Sequence, residues 1–365
     1  MLVNRHLAAV TAAALVVLSA CGPQPSAQPE PSTTTSGTPK PSSLNLDGLT
    51  VGSAPRIAWS QGSALNGDDA QDVLPSNLDQ FVETKQLLVM RDVDGNVFAY
   101  AADGPKSTTP IGKATGALAV NNERNLVAWI APDGSPMVLQ EGQAKPATLL
   151  GQAGVTAGDA VAVIGRDCFN GPETVEGAGC SVYFRARGET PQSFVASNHG
   201  FVESIGDASS PVHLQDADES GEIGWTKLNE DQTTCSTYWG HETLDADTAK
   251  TWKTCDHMPL TFSPDGKHIL ATAPHGYEGL GASSLTILDR TTGKPLLTLR
   301  NNSESQAAIT DMVWEDDSHV LAVIVQKLDW AVVRVGLDGS VELADERIRS
   351  TVELDSIPYR LSVQP

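Results

Sequence analysis

Residues 261–272 read TFSPDGKHILAT and place the carboxyl of Asp265 three positions before the imidazole of His268. A carboxylate beside an imidazole is a pairing used in general acid–base chemistry, so the stretch raises the question of an active site. Its other letters answer for folding. Pro264-Asp265-Gly266-Lys267 is a turn sequence, and the alternating run HILATA behind it is a strand leaving that turn. His199, His213, His241, His257, His275 and His319 stand singly. The nearest group, His257, His268 and His275, falls on different strands or loops, with no zinc or haem spacing. No G-x-S-x-G elbow supplies an activated serine.

DVDGNV (92–97) alternates Asp92, Asp94 and Asn96 as an EF-hand loop begins, but it lacks the closing glutamate and its glycine is misplaced. An Asp-Gly hairpin turn is the expected structure. The acidic runs NGDDAQD (66–72), QDADESGE (215–222) and EDD (315–317) are expected to be solvated loops. These readings leave no catalytic residue, metal ligand or cofactor assigned. Of the seven tryptophans most lie in strand-like runs, where packing explains them. Trp239, with Tyr238 and His241 beside it, is the exception. These three form the candidate binding loop, with a local loop core as the competing reading.

Cys168, Cys180, Cys235 and Cys255 form an even set once Cys21 is set aside, and four cysteines allow three pairings. The sequence-local choice, Cys168 with Cys180 and Cys235 with Cys255, closes short loops. Zinc is the alternative, although no C-x-x-C or close histidine accompanies the four. Each pair would pin a long excursion, FNGPETVEGAG (169–179) and STYWGHETLDADTAKTWKT (236–254), and tied loops are frequent binding elements.

The first twenty-one residues, MLVNRHLAAVTAAALVVLSAC, have Arg5 in a short leading region, an apolar run from Leu7 to Leu18 and small residues before Cys21. That is the plan of a secretory signal, and the run is too short to span a bilayer. Leu18-Ser19-Ala20-Cys21 resembles the bacterial lipobox, which implies cleavage after residue 20 and lipidation of Cys21. The expected division is therefore a signal peptide over 1–20, a lipidated cysteine and tether over 21–50, and one folded domain over 51–365. The tether is rich in Pro, Ser and Thr. Its stretch 22–43 cannot bury enough surface to fold, and at about 3 Å per residue that stretch reaches up to roughly 60 Å. An O-modified stalk is the other use of such a composition.

Acidic residues number 45 against 24 basic ones, for a net charge of −21. Binding to nucleic acid, which needs lysine and arginine to displace counterions, is excluded as an expectation. Anionic lipid headgroups are repelled as well, so contact with the cell membrane is expected only through the lipid on Cys21.

From residue 51 onward short β-rich runs alternate with turn signals and no helical period of useful length appears. Seven runs read as second strands of repeated units: RIAWSQ (56–61), QLLVM (86–90), NLVAWI (125–130), AVAVIG (160–165), EIGWTK (222–227), HILATA (268–273) and HVLAVIV (319–325). Three share a small residue before tryptophan, at Trp59, Trp129 and Trp225. Most spacings suit a four-stranded propeller blade, and the gap between residues 160 and 222 calls for an insertion. In this scheme Cys168 ends a second strand and Cys180 starts a third, while Cys235 starts a third strand and Cys255 ends a fourth.

Phe262-Ser263-Pro264-Asp265-Gly266-Lys267 between two strands resembles the recurrent element of TolB-like and WD40-like β-propellers, and the layout of lipobox, tether and weak repeats resembles propeller lipoproteins of the actinobacterial envelope. The resemblance implies an all-β propeller of four-stranded antiparallel blades. Seven is the expected number, with PYRLSV (358–363) supplying the missing first strand to the blade of RIAWSQ. It further implies a monomeric binding or scaffolding module for an envelope protein, outside the cytoplasm. The alternative is a propeller enzyme of hydrolase, lactonase or quinoprotein type, with its site at the channel mouth.

Overall fold

The computed structural model describes residues 42–62, 64–66, 72–73, 77–101, 109–149, 157–169, 179–187, 192–207, 210–227, 234–240, 251–274, 281–301, 307–350 and 358–365. Residues 1–20, Cys21, the tether up to residue 41, and His241 lie outside them. The regular elements described are β-strands in seven sheets, each built on four antiparallel neighbours, which follow one another in sequence everywhere except where the two ends of the described chain meet. The fold is a seven-bladed β-propeller.

Blade 1 joins the two ends of the described chain. Tyr359–Leu361 pairs with Trp59–Gln61, which is followed by Ala64–Asn66 and Asp72–Val73. Blade 2 contains Leu78–Glu83, Leu87–Asp92, Asn96–Ala101 and Gly112–Lys113. Blade 3 contains Ala119–Val120, Leu126–Ile130, Pro136–Gln140 and Ala147–Thr148. Blade 4 contains Gly158–Gly165, Cys180–Ala186, Ser193–Ser197 and Val202–Asp207, with Ser210–Pro211 folded against its edge. Blade 5 contains His213–Asp218, Gly221–Lys227, Thr234–Gly240 and Trp252–Thr254. Blade 6 contains Met258–Phe262, His268–Thr272, Ser284–Asp289 and Pro295–Asn301. Blade 7 contains Ala307–Asp316, His319–Gln326, Asp329–Gly336 and Val341–Leu343.

Six of the seven runs read as second strands hold that place, and AVAVIG does not. It belongs to Gly158–Gly165, the first strand of blade 4, and Cys180 starts the second strand. The segment between the two cysteines therefore connects first to second strand. The long gap needs no inserted unit, because CSVYFRA fills the vacant second-strand place. A buried first strand and a buried second strand carry the same apolar alternation, and the letters do not separate them.

The ring closes as the terminal runs imply, with Trp59 opposite Leu361 and Gln61 opposite Tyr359. The Trp59 and Tyr359 rings lie 5.7 Å apart. The propeller also begins earlier than composition indicates. Ser42–Leu44 lies parallel to Pro295–Asn301 as an outer strand of blade 6, burying Leu44 and Leu46. The two leucines are masked in sequence by the polar residues around them, Ser42, Ser43, Asn45 and Asp47.

The core is divided among the seams, with one apolar cluster at each of the seven blade contacts. A middle strand pressed between two neighbouring blades is covered on both faces, so it reads as a continuous apolar run. His319–Gln326 and Asp329–Gly336 are buried along almost their whole length for this reason. Both expected disulfides are present, each within one blade. Cys168–Cys180 ties the first to the second strand of blade 4, and Cys235–Cys255 ties the third strand of blade 5 to the end of its fourth.

Candidate binding site at the propeller channel

The first strands ring a central cavity of about 560 Å³. In five blades the first strand carries a bulge at the same place, leaving Asp79, Val161, Gln215, Leu260 and Thr310 unpaired. A bulge re-aims the local side chains, and these five line the channel.

The polar residue after the bulge reaches sideways. Gln80 Oε1 accepts from Leu118 N at 2.8 Å. Asp216 Oδ2 accepts from Phe262 N and Thr261 Oγ1, both at 2.8 Å. Asp311 Oδ2 accepts from Leu361 N at 3.3 Å. Asp159 makes the converse link, accepting from Ala117 N of the preceding blade at 3.1 Å. Burial pushes the Asp216 carboxyl up to about 7 despite the hydrogen bonds it accepts, and it raises that of Asp311 as well.

Two arginines fasten the outer seams. Arg290 places Nη1 and Nη2 at 2.5 and 2.6 Å from the Asp218 carboxylate across the seam between blades 6 and 5. Its Nε donates to Tyr238 Oη at 3.1 Å and its guanidinium carbon lies 4.0 Å from the Phe262 ring centroid. Arg334 holds Glu315 through Nε and Nη2, Glu342 through Nη1, and the carbonyls of Ser53 and Ala54.

At the mouth where the first strands begin, arginines gather. Arg91 is ion-paired to Asp79, and Arg360 Nη1 donates to the Asp79 carbonyl at 2.9 Å. Arg187 embraces Asp159 through Nη2 at 2.6 Å and Nε at 3.2 Å. Behind them two donors, Arg185 Nη1 at 3.1 Å and Trp225 Nε1 at 2.7 Å, face one end of the Gln215 amide, which fixes its oxygen on that side. His213 stacks on Trp225 with ring centroids 3.7 Å apart, and burial and the Arg185 charge push its imidazole down to about 4.

Tyr238 of the expected binding loop is buried, its hydroxyl held by Arg290 at the blade seam. Trp239 is its half-buried neighbour in the third strand of blade 5, and His241 lies outside the described residues. Asp265 accepts from Ser263 Oγ at 2.8 Å and Lys267 Nζ at 2.8 Å, while His268 Nδ1 stands 3.9 Å from it. The pair belongs to a hairpin whose Gly266 adopts φ +65°. Asp92 likewise closes the DVDGN turn, accepting from Asn96 N at 2.8 Å. Among the described residues no group of three or more His, Cys, Asp or Glu is placed to hold a metal ion, and no helix is long and apolar enough to cross a membrane.

The arginines at the mouth were missed in the sequence. A signal was present in Phe184-Arg185-Ala186-Arg187, two cations at strand period in a chain short of them.

No protein-family model matches the chain, and no curated protein matches it. Among solved structures it is similar to the β-propeller domain of Myceliophteria thermophila Cps50 (Swd1), with 9% identity and a TM-score of 0.46 over 76% of this chain and 87% of that one.

Proposed function

We propose that this seven-bladed propeller is a lipid-anchored, extracytoplasmic binding or scaffolding module for an envelope protein, acting as a monomer. The observation that carries the reading is how the channel spends its charged groups. Asp216, Asp311 and Asp159 hold backbone amides of adjoining blades, and Asp218 is taken by Arg290. Catalysis needs such groups to converge on a reacting atom, whereas a binding module needs a ring that presents stable faces. The two disulfides support an oxidising compartment. The lipobox-like Leu18-Ser19-Ala20-Cys21 and the Pro/Ser/Thr tether support the anchor, and the likeness of FSPDGK to TolB-like repeats supports an envelope role.

The test uses intact cells. Labelled palmitate should enter the wild-type protein and not Cys21→Ala, and crosslinking before lysis should capture an envelope protein whose own tagged form captures this chain in return. Label in Cys21→Ala would remove the anchor, and failure of the reciprocal capture would remove the envelope partner.

A further inference from the structure

The donors at the arginine mouth exceed their acceptors. Arg91 and Arg360 both engage Asp79, one through its carboxylate and the other through its carbonyl. Arg187 lies within electrostatic range of the same carboxylate. Its own partner Asp159 is already occupied by both forks of Arg187 and by Ala117 N. Each guanidinium carries five N–H donors. Arg360 uses one of them on a neutral carbonyl and makes no ion pair among the described residues. Arg91 Nε is buried with no hydrogen-bond partner. Arg185, behind Gln215, makes no close ion pair among the described residues and shares the field of Asp159 with Arg187, so two guanidiniums face that one carboxylate.

All three arginines at the front line the same cavity of about 560 Å³ and come from blades 1, 2 and 4. That volume suits a small molecule. Of the other cavity carboxylates, Asp218 is paired with Arg290 and Glu123 with Arg166, Glu219 is exposed beside Asp218, and Asp216 is buried and turned to Phe262 N. Asp311 is half-buried and feels the Arg360 charge, but its Oδ2 is spent on Leu361 N, so it offsets the mouth only in part. A chain of net charge −21 thus concentrates unspent guanidinium donors at one end of its channel. Planar forks in a concave, partly desolvated site match carboxylate and phosphate oxygens in pairs.

We propose that the mouth where the first strands begin binds a small polyanion of carboxylate or phosphate type, gripped by Arg91, Arg187 and Arg360. The anion completes the acceptors that Asp79 and Asp159 leave short. The site stands independently of the anchor and of the envelope partner.

Titration calorimetry of the full-length chain with pyrophosphate and with citrate, at ionic strength fixed by sodium chloride, tests this. Saturable one-site binding of either probe is expected, and the probe that binds identifies the oxyanion class. Arg360→Gln should weaken it about tenfold or more, the loss of a charge-assisted pair. Arg187→Gln should do the same, which covers a folding failure of the first variant. Arg349→Gln, an exposed residue on the outer strand Ile348–Arg349 of blade 7 and outside the cavity lining, should bind as wild type. Heats no larger than those of added sodium chloride, or unchanged affinity in folded Arg360→Gln and Arg187→Gln, would overturn the site.

Discussion

Arg290 grips Asp218 across a blade seam with two bonds of 2.5 and 2.6 Å while its plane rests 4.0 Å from the Phe262 ring centroid. Its side chain is only 7% exposed, so the pair is desolvated and each partner depends on the other. Truncation leaves the Asp218 carboxylate without its cation and Tyr238 Oη without its donor. Arg290→Ala should cost about 3 kcal/mol in urea unfolding. Arg290→Lys should recover less than half of that, because an ammonium cannot span both carboxylate oxygens and stack as well.

How much of this was legible follows from where each element's information sits. The hairpins at Asp92 and Asp265 are local, and Asp-Gly turns announce them. The clasp of Tyr359–Leu361 on Trp59–Gln61 was legible because a unit lacking its first strand at one end of the domain matched a spare strand at the other. The first and second strands of blade 4 are each one place earlier than the sequence reading puts them, because both are buried and apolar and nothing local marks their position in the blade. Tyr238 was read as part of a loop because nothing near it in sequence names Arg290, 52 residues away. The arginine mouth was missed for the same reason, since Arg91, Arg187 and Arg360 meet only when the ring closes.

The disulfides should act on the unfolded chain more than on any contact of the folded one. They close loops of 12 and 20 residues, for which chain entropy gives about 3 kcal/mol each. Paired serine variants, Cys168→Ser with Cys180→Ser and Cys235→Ser with Cys255→Ser, should each lower stability by that order in chemical denaturation. Dithiothreitol should lower wild type by both together and leave the combined variant unmoved.

Two neighbours on the first strand of blade 5 should give opposite pH dependences. Asp216 is held up at about 7, so its native form retains a proton that the unfolded chain sheds near its ordinary value of 3.8. Its contribution is therefore full below 3.8 and is lost as pH rises through 7, with a slope on the order of 1.4 kcal/mol per pH unit. His213 is held down at about 4 against 6.5, so its contribution is present above 6.5 and is lost as pH falls through 4. Unfolding curves from pH 4 to 8 should show Asp216→Asn gaining on wild type as pH rises and His213→Gln gaining as it falls. Parallel curves for Asp216→Asn and wild type would show that the carboxylate is ionised in the fold throughout.

Ring closure depends on a short terminal strand that touches three blades. Tyr359 is fully buried, packs its ring at a 40° tilt against Trp59 and donates from Oη to Glu346 O at 3.0 Å. Ser362 N reaches Ala58 O at 3.0 Å, Val363 N reaches Phe81 O at 2.9 Å, and Leu361 N reaches Asp311 at 3.3 Å. Blades 1, 2 and 7 are thus joined by residues 359–363, and a stop after residue 357 leaves Trp59–Gln61 as a free strand edge and removes the links to blades 2 and 7. Tyr359→Ala should cost about 3 to 5 kcal/mol as a large buried ring is lost. In hydrogen exchange the truncated chain should lose protection first in Trp59–Gln61, Leu78–Glu83 and Ala307–Asp316, while Cys180–Ala186 across the ring keeps its protection until global unfolding. Uniform loss over all seven blades would instead mean that the ring opens only as a unit and that the clasp is no weaker than any other seam.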